Sequence, residues 1–190
     1  MINSTNFGFY TIDSDYLEYL SEIDQEVYFN SSYGYSTKPF VGIIVGIKQF
    51  KYFIPLTSAK EKHKTWKNVT DEHFLVYEII DNDITFTGDI YKYFSDTKKM
   101  HVLAVLDIKK MIPVPDGCYK KIEFNKLTDS RYKDLFEKEY AFCLSIKPKI
   151  LKKVEKLYCR QKETGKVRRA NCDFAKLEHA MKLWIQNNIC

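Results

Sequence analysis

Glycine and proline are scarce, 7 and 5 in 190 residues. That scarcity excludes a collagen-like or linker-rich chain. Long apolar runs are missing as well. The longest, residues 40–47, contains two glycines and is strand-sized, well short of the roughly 18–20 residues of a membrane helix. Residues 1–6 are polar and carry no basic charge, so no secretory signal is expected. The five cysteines (Cys118, Cys143, Cys159, Cys172, Cys190) form no CxxC pair. An odd, widely spaced set reads as free thiols in a reducing cytoplasm rather than a disulfide framework or a zinc site. There is no glycine-rich phosphate loop, no GxSxG elbow, no HExxH and no calcium loop. His63, His73, His101 and His179 show no metal-ligand spacing, so neither a metal nor another cofactor is expected.

What is abundant is aromatic surface and segregated charge. Thirteen Phe, 14 Tyr and 2 Trp argue against disorder and for one well-filled core, and the whole of residues 1–190 is read as one domain. Net charge is only +5, but it is unevenly spread. Residues 1–37 hold six acids and no Lys or Arg. Residues 38–67 hold seven lysines against Glu61 alone. Residues 71–96 reverse the sign with seven acids and one lysine, and residues 147–169 hold ten basic residues and two acids. Two concentrated basic blocks suggest a polyanion-binding face set apart from an acidic one; each block alone also fits an ordinary solvated surface.

Patterning predicts an α+β fold. Residues 9–12 read as a strand, and Asp13-Ser14 as the cap of a helix with Tyr16, Leu17, Leu20 and Ile23 at helical spacing. Residues 40–47 and 52–56 read as a hairpin, 74–80 and 102–106 as strands, and 111–114 as a short strand held by two prolines to an edge or bend. Residues 81–88 are turn-rich and 89–97 ambiguous. Helices are expected over 130–144, from Pro148 onward through Ile150, Val154, Leu157 and Tyr158 with Gly165 ending the connection that follows, and over 173–184. Strands first and helices later imply a small, strongly bent antiparallel sheet or barrel with helices packed on it and a helical C-terminal part.

The most reactive-looking segment follows the strand at 52–56. Thr57, Ser58 and Lys60 bring two hydroxyls and an ammonium within four residues, enough donors to hold a phosphate. Thr-Ser after a strand also serves as plain turn chemistry. In the second basic block, Lys149, Lys152, Lys153, Lys156 and Arg160 recur on one helical face opposite Ile150, Val154, Leu157 and Tyr158. Such a face, continued by Lys166, Arg168 and Arg169, suits an RNA backbone or is simply solvated.

The chain resembles the endoribonuclease toxins of type III toxin–antitoxin systems, the ToxN/AbiQ family. The resemblance is carried in order by Phe9-Tyr10-Thr11-Ile12, Tyr16-Leu17-Glu18-Tyr19-Leu20 and Lys38-Pro39-Phe40-Val41-Gly42-Ile43. It continues in Lys51-Tyr52-Phe53-Ile54-Pro55-Leu56-Thr57-Ser58-Ala59-Lys60, Met111-Ile112-Pro113-Val114, and Asn171-Cys172-Asp173-Phe174 with Leu177-Glu178. Ala59 departs from the proline of many relatives, and residues 81–97 match no family motif and read as a variable insertion.

The resemblance implies a barrel-like fold related to the MazF/Kid toxins and a bacterial role in abortive infection and antiviral defence. It implies metal-independent cleavage of A-rich single-stranded RNA, cellular or phage, to 2′,3′-cyclic phosphate and 5′-hydroxyl ends. It also implies processing of, and inhibition by, a pseudoknotted repeat RNA antitoxin in a closed protein–RNA ring, with no DNA or membrane partner. On this scheme Thr57 and Ser58 orient the phosphate, and Lys60 stabilises the phosphorane or moves a proton. Lys38 contacts phosphate, and Tyr16 hydrogen-bonds or stacks on a base. Tyr33 and Tyr35 either stack on bases or are plain loop aromatics. Lys62, His63 and Lys64 are phosphate contacts or bland surface. The alternatives from other classes are a non-catalytic RNA-binding module and a DNA-binding repressor. The intact hydroxyl–hydroxyl–x–lysine cluster favours the enzyme over the first, and the lack of a helix-turn-helix disfavours the second.

Overall fold

The computed structural model describes residues 2–3, 7–29, 41–47 and 49–188. Its centre is a seven-stranded antiparallel sheet. Strand β1 (Ile2–Asn3) pairs with β3 (Val41–Ile47), β3 with β4 (Phe50–Ser58), β4 with β7 (Lys98–Asp107), and β7 with β5 (His73–Asp81). Strand β6 (Ile90–Tyr93) joins the other side of β7, and β8 (Ile112–Pro113) caps β4. A separate ribbon pairs β2 (Tyr10–Ile12) with β9 (Tyr119–Lys121). Among the described residues the four helices are α1 (Ser14–Ile23), α2 (Ser130–Ser145), α3 (Lys147–Thr164) and α4 (Phe174–Asn188). None is long and apolar enough to cross a membrane.

Of the expected bent antiparallel sheet or barrel, the sheet is what forms and the barrel is not found: among the described residues the sheet stays open, because β1 and β5 stand at opposite ends of the strand order and do not pair. Closure requires edge strands to meet; here helices cover the sheet instead. The likeness to MazF/Kid toxins is therefore not carried forward. The ambiguous stretch 89–97 resolves into β6 and the turn into β7. The β2–β9 pairing, across more than a hundred residues, left no local signal.

Local chemistry explains the helix ends. The Asp13 carboxylate accepts from the N–H groups of Asp15 (3.0 Å) and Tyr16 (3.2 Å), and Asp129 caps α2 in the same way. Pro148 occupies the first turn of α3, where its missing N–H costs nothing. Gly165 ends α3 at φ 64°, a left-handed conformation that a side chain would strain.

Strand β7 is buried from Met100 to Asp107 because the sheet carries a core on each face. Phe74, Val76, Ala104 and Leu106 face the main core with Tyr52, Phe53, Tyr16 and Phe174. Leu75, Met100, Val102 and Val105 face a smaller one that Ile90 completes, with Ala59 and Trp66 at its margin. The alternation survives through a bulge. Val76 pairs with Ala104 and Tyr77 with Val102, so β7 has one extra residue, Leu103. That residue shifts the side-chain parity, keeping Val102 and Val105 on one face although they are three apart. Glu178 of α4 fastens the helices to the sheet. Its carboxylate accepts from the hydroxyls of Tyr52 (2.7 Å) and Tyr158 (2.8 Å) and pairs with Lys162.

Candidate active site

The hydroxyl–hydroxyl–x–lysine segment lies where β4 leaves the sheet. Thr57 and Ser58 still pair, with Val105 and Ala104 of β7. The next N–H, of Ala59, donates to the bulged Leu103 carbonyl at 3.2 Å. The bulge therefore sets the point at which the chain departs, and a bulge beside a site commonly re-aims a side chain. Thr57 is half-buried, whereas Ser58 and Lys60 are exposed. Among the described residues the Lys60 ammonium has no carboxylate partner. The result is a ledge of donors on a rigid strand end, open on one side.

Residues Glu61–Thr65 form one 3-10 turn beyond the ledge, and His63 is its internal brace. The Lys60 N–H donates to His63 Nδ1 at 2.9 Å, and the His63 N–H donates to the Lys60 carbonyl at 2.7 Å. The ring is buried, edge-on to Trp66 with centroids 4.6 Å apart. Trp66 in turn packs on His73 at 4.8 Å. His63 is thus not a surface residue, which corrects that part of the sequence reading. Burial, then the nearby Lys62, Lys60 and His73, lowers its pKa from the ordinary 6.5. The neutral ring is the form that can accept at Nδ1.

The neighbouring lysines differ from one another. Lys62 lies 5.5 Å from the centre of the Trp66 ring, and Lys64 pairs with Glu61 at 2.7 Å. Tyr16 also departs from expectation: it is fully buried, and its hydroxyl donates to the Pro113 carbonyl at 2.7 Å. Burial pushes that hydroxyl far above the usual tyrosine range. It ties α1 to β8 and offers no face to a base. Tyr33, Tyr35 and Lys38 lie outside the described residues.

The basic face of α3 is partly consumed within the fold. Lys153 (3.4 Å) and Lys156 (2.9 Å) both reach Asp71, at the turn before β5. These pairs, led by the Lys156 hydrogen bond, hold the Asp71 carboxyl below the usual carboxylate range. Arg160 is half-buried, with one terminal nitrogen buried and unpartnered. Lys149 and Lys152 are exposed, with no ion-pair partner among the described residues. They are the free part of the face. Sequence reasoning missed Trp66 as a member of the site, although it is one of only two tryptophans and sits within the first basic block. Among the described residues no three His, Cys, Asp or Glu side chains group as metal ligands.

The arrangement supplies hydrogen-bond donors and the exposed Lys60 ammonium. It can hold a phosphate and stabilise charge developing on it.

Comparison with known proteins gives the same direction. Residues 8–182 match the family model for toxin ToxN of type III toxin–antitoxin systems. The chain is 32% identical to endoribonuclease ToxN of Bacillus thuringiensis subsp. kurstaki, over 94% of this chain and 84% of that protein. It is 28% identical to endoribonuclease AbiQ of Lactococcus lactis subsp. lactis, over 93% and 88%. A solved type III toxin, described as selectively inhibited by a non-coding RNA pseudoknot, is 28% identical and superposes with a TM-score of 0.67 over 95% of this chain and 98% of that one. The solved lactococcal anti-phage endoribonuclease AbiQ shares the fold at 24% identity, with a TM-score of 0.64 over 96% and 99%. With the donor ledge in place and the match running nearly end to end, the chain belongs to the ToxN family of type III toxin–antitoxin toxins, a family of endoribonucleases.

Proposed function

We propose that the protein cleaves A-rich single-stranded RNA by transesterification at Thr57, Ser58 and Lys60, leaving 2′,3′-cyclic phosphate and 5′-hydroxyl ends. The observation that carries this reading is the ledge itself, two hydroxyls and a lysine without a carboxylate partner among the described residues, held on the end of β4 by the Leu103 bulge and braced by His63. The RNA's own 2′-hydroxyl is the nucleophile. It must lose a proton, the phosphorane must be stabilised, and the leaving 5′-oxygen must gain a proton. Thr57 and Ser58 orient the phosphate through hydroxyl and backbone donors. Lys60 lies beside the charge that develops on the phosphorane, where a fixed cation acts most strongly. Such a displacement has no obligatory place for a divalent ion.

By the same reading the toxin trims its own repeat-derived transcript and stays bound to the pseudoknotted product, in a closed protein–RNA ring. The free lysines Lys149 and Lys152 are suited to the backbone of such a folded RNA. The solved relative inhibited by an RNA pseudoknot supports this.

The test is cleavage of A-rich RNA in excess EDTA, with end-group analysis of the products. Ser58→Ala and Lys60→Ala should each lower the rate about 100- to 1,000-fold and leave the melting temperature unchanged, since both side chains are exposed. Wild-type rates in Lys60→Ala, or rescue of an EDTA-silenced enzyme by Mg²⁺, would sink this mechanism. RNA binding without cleavage by the wild-type protein would favour the binding-module alternative.

A further inference from the structure

An open cleft of about 340 Å³ lies beyond the ledge, between Trp66, the 70–73 turn, Lys109 and Arg168. Its volume falls within the roughly 300–1,000 Å³ of small-ligand sites. Its polar groups divide into those already committed and those still free.

The committed ones are the hydroxyl of Thr70 and the ring of His73. Thr70 Oγ1 lies 3.0 Å from His73 Nδ1 and accepts from the Glu72 and His73 N–H groups, while His73 Nε2 is 3.0 Å from the Lys67 carbonyl. The Asp71 carboxylate on the cleft wall is held by Lys153 and Lys156. The free groups are of three kinds. The Trp66 indole, fixed by His63 and His73, is half-buried, and its ring N–H has no acceptor among the described residues. Lys109 is pinned through its main chain: its N–H donates to the Glu72 carbonyl at 3.3 Å, and its carbonyl accepts from the Cys172 N–H at 2.9 Å. Its ammonium makes no ion pair among the described residues. Arg168 touches Glu72 through one nitrogen at 3.5 Å, which leaves most of its guanidinium fork unused.

A half-buried indole whose ring carries the Lys62 ammonium at 5.5 Å, its N–H, Lys109 and the unused part of the Arg168 fork are the complement of an aromatic base joined to a phosphate, the base taking the place of Lys62 over the ring. Asp71 is countered by Lys153 and Lys156, while Glu72 is met by the one Arg168 nitrogen that touches it, so the anion shares Arg168 with Glu72. The position fits too. Lys60 and Trp66 flank a single 3-10 turn, which at about 2.0 Å per residue puts them roughly 12 Å apart. Neighbouring nucleotides of one strand can then occupy ledge and cleft together.

We propose that this cleft is a nucleotide subsite: an unpaired base stacks on Trp66 while Lys109 and Arg168 take the adjoining phosphate. This deepens, and rests on, the reading of the chain as an RNA-cleaving toxin. The same unit occurs in a substrate strand and in the unpaired flank of an antitoxin RNA, and the experiment separates the two.

The 190-residue chain carrying Trp184→Phe keeps Trp66 as its one tryptophan, so its fluorescence reports the cleft. Titration with a short A-rich 2′-O-methyl oligonucleotide, whose blocked 2′-oxygen prevents cleavage, should quench that emission. Trp66→Ala should weaken binding roughly 5- to 150-fold, the range for losing one base stack. Because Trp66 also braces His63, the second variant is Lys109→Gln/Arg168→Gln, which removes no core packing. It should weaken binding and flatten the log–log salt dependence by about 0.7 for each phosphate no longer neutralised. The same variants are titrated with an RNA pseudoknot bearing A-rich single-stranded flanks. Weakening with the oligonucleotide alone assigns the subsite to substrate, weakening with the pseudoknot alone to antitoxin, and weakening with both to a shared strand path. If the wild-type protein binds and cleaves RNA, yet Trp66 is not quenched and the double variant keeps wild-type affinity and slope for both probes, the subsite is refuted and the enzyme reading stands. If the wild-type protein neither binds nor cleaves RNA, both fall.

Discussion

His63 offers the sharpest test of how the ledge is held. Its Nδ1 accepts the Lys60 N–H at 2.9 Å, and its ring is buried against Trp66. His63→Leu keeps the bulk but removes the acceptor and leaves a partly buried N–H unmet. The cost of such an orphan is about 1–3 kcal/mol. For a chain of this length, a loss of about 2 kcal/mol corresponds to roughly 4–8 °C in Tm. The effect on rate should be larger than that on stability, since about 1 Å of misplacement at a reacting group can cost roughly 100-fold. His63→Asn is the control, because its amide oxygen can stand where Nδ1 stood and should recover most of the rate. A pH profile separates positioning from mere packing. The folded pKa lies below the ordinary 6.5, so above 6.5 the ring is neutral in both folded and unfolded chains and its contribution does not vary. As pH falls below 6.5 the unfolded chain takes up the proton first, and stability declines until the folded pKa is passed. Below that point Nδ1 carries a proton facing the Lys60 N–H, and kcat should drop. His63→Asn should lose this acid limb while keeping the neutral-pH rate. The assay is kcat and KM on a short A-rich oligonucleotide across pH, alongside thermal melts. Wild-type kcat in His63→Leu at every pH, or equal failure of Leu and Asn, would refute the brace.

Two further outcomes are expected. Reversing the unpaired charges in Lys149→Glu/Lys152→Glu should weaken antitoxin binding more than cleavage of a short oligonucleotide, and lower the log–log salt slope by about 0.7–0.9 for each phosphate no longer neutralised; an unchanged slope would make this face ordinary solvated surface. Glu139 is buried in α2, and burial pushes its pKa from 4.5 to about 8, so its stabilising neutral form costs progressively more as pH rises through that window. Glu139→Gln should therefore raise Tm more above pH 8 than below pH 4.5 in paired melts, and equal shifts at both would contradict the burial argument.

Features built from neighbouring residues were legible in the sequence. Asp13 and Pro148 start helices, because caps and first turns depend on a few adjacent groups, whereas Gly165, read as the end of the connection, caps the helix itself. The β3–β4 hairpin followed from two β-rich runs close together. What stayed hidden depends on partners far along the chain. Lys153 and Lys156 looked free on a helical face, but Asp71, 82 and 85 residues away, meets both. His63 sat in a lysine-dense hydrophilic stretch and read as surface, although Trp66 and the Lys60 backbone enclose it. Tyr16 belonged both to an apolar stripe and to a family motif, and only the Pro113 carbonyl decided for the core. Within the ledge, the residue types were visible in the sequence. The bulge that aims them was not, because a parity shift appears only when β5 and β7 are aligned.

The extra residue in β7 also divides the site by how readily it opens. Ser58 is laid against Ala104, in a stretch of strand sealed by a core on each side, and such strands exchange their amide hydrogens only through large-scale unfolding. Past the Leu103 carbonyl, the chain from Lys60 to Thr65 depends on one short turn and the His63 ring. The hydroxyl end of the ledge is thus anchored to the slowest-exchanging part of the molecule. The lysine end, held by fewer bonds, should exchange its amide hydrogens sooner than the sheet beneath it.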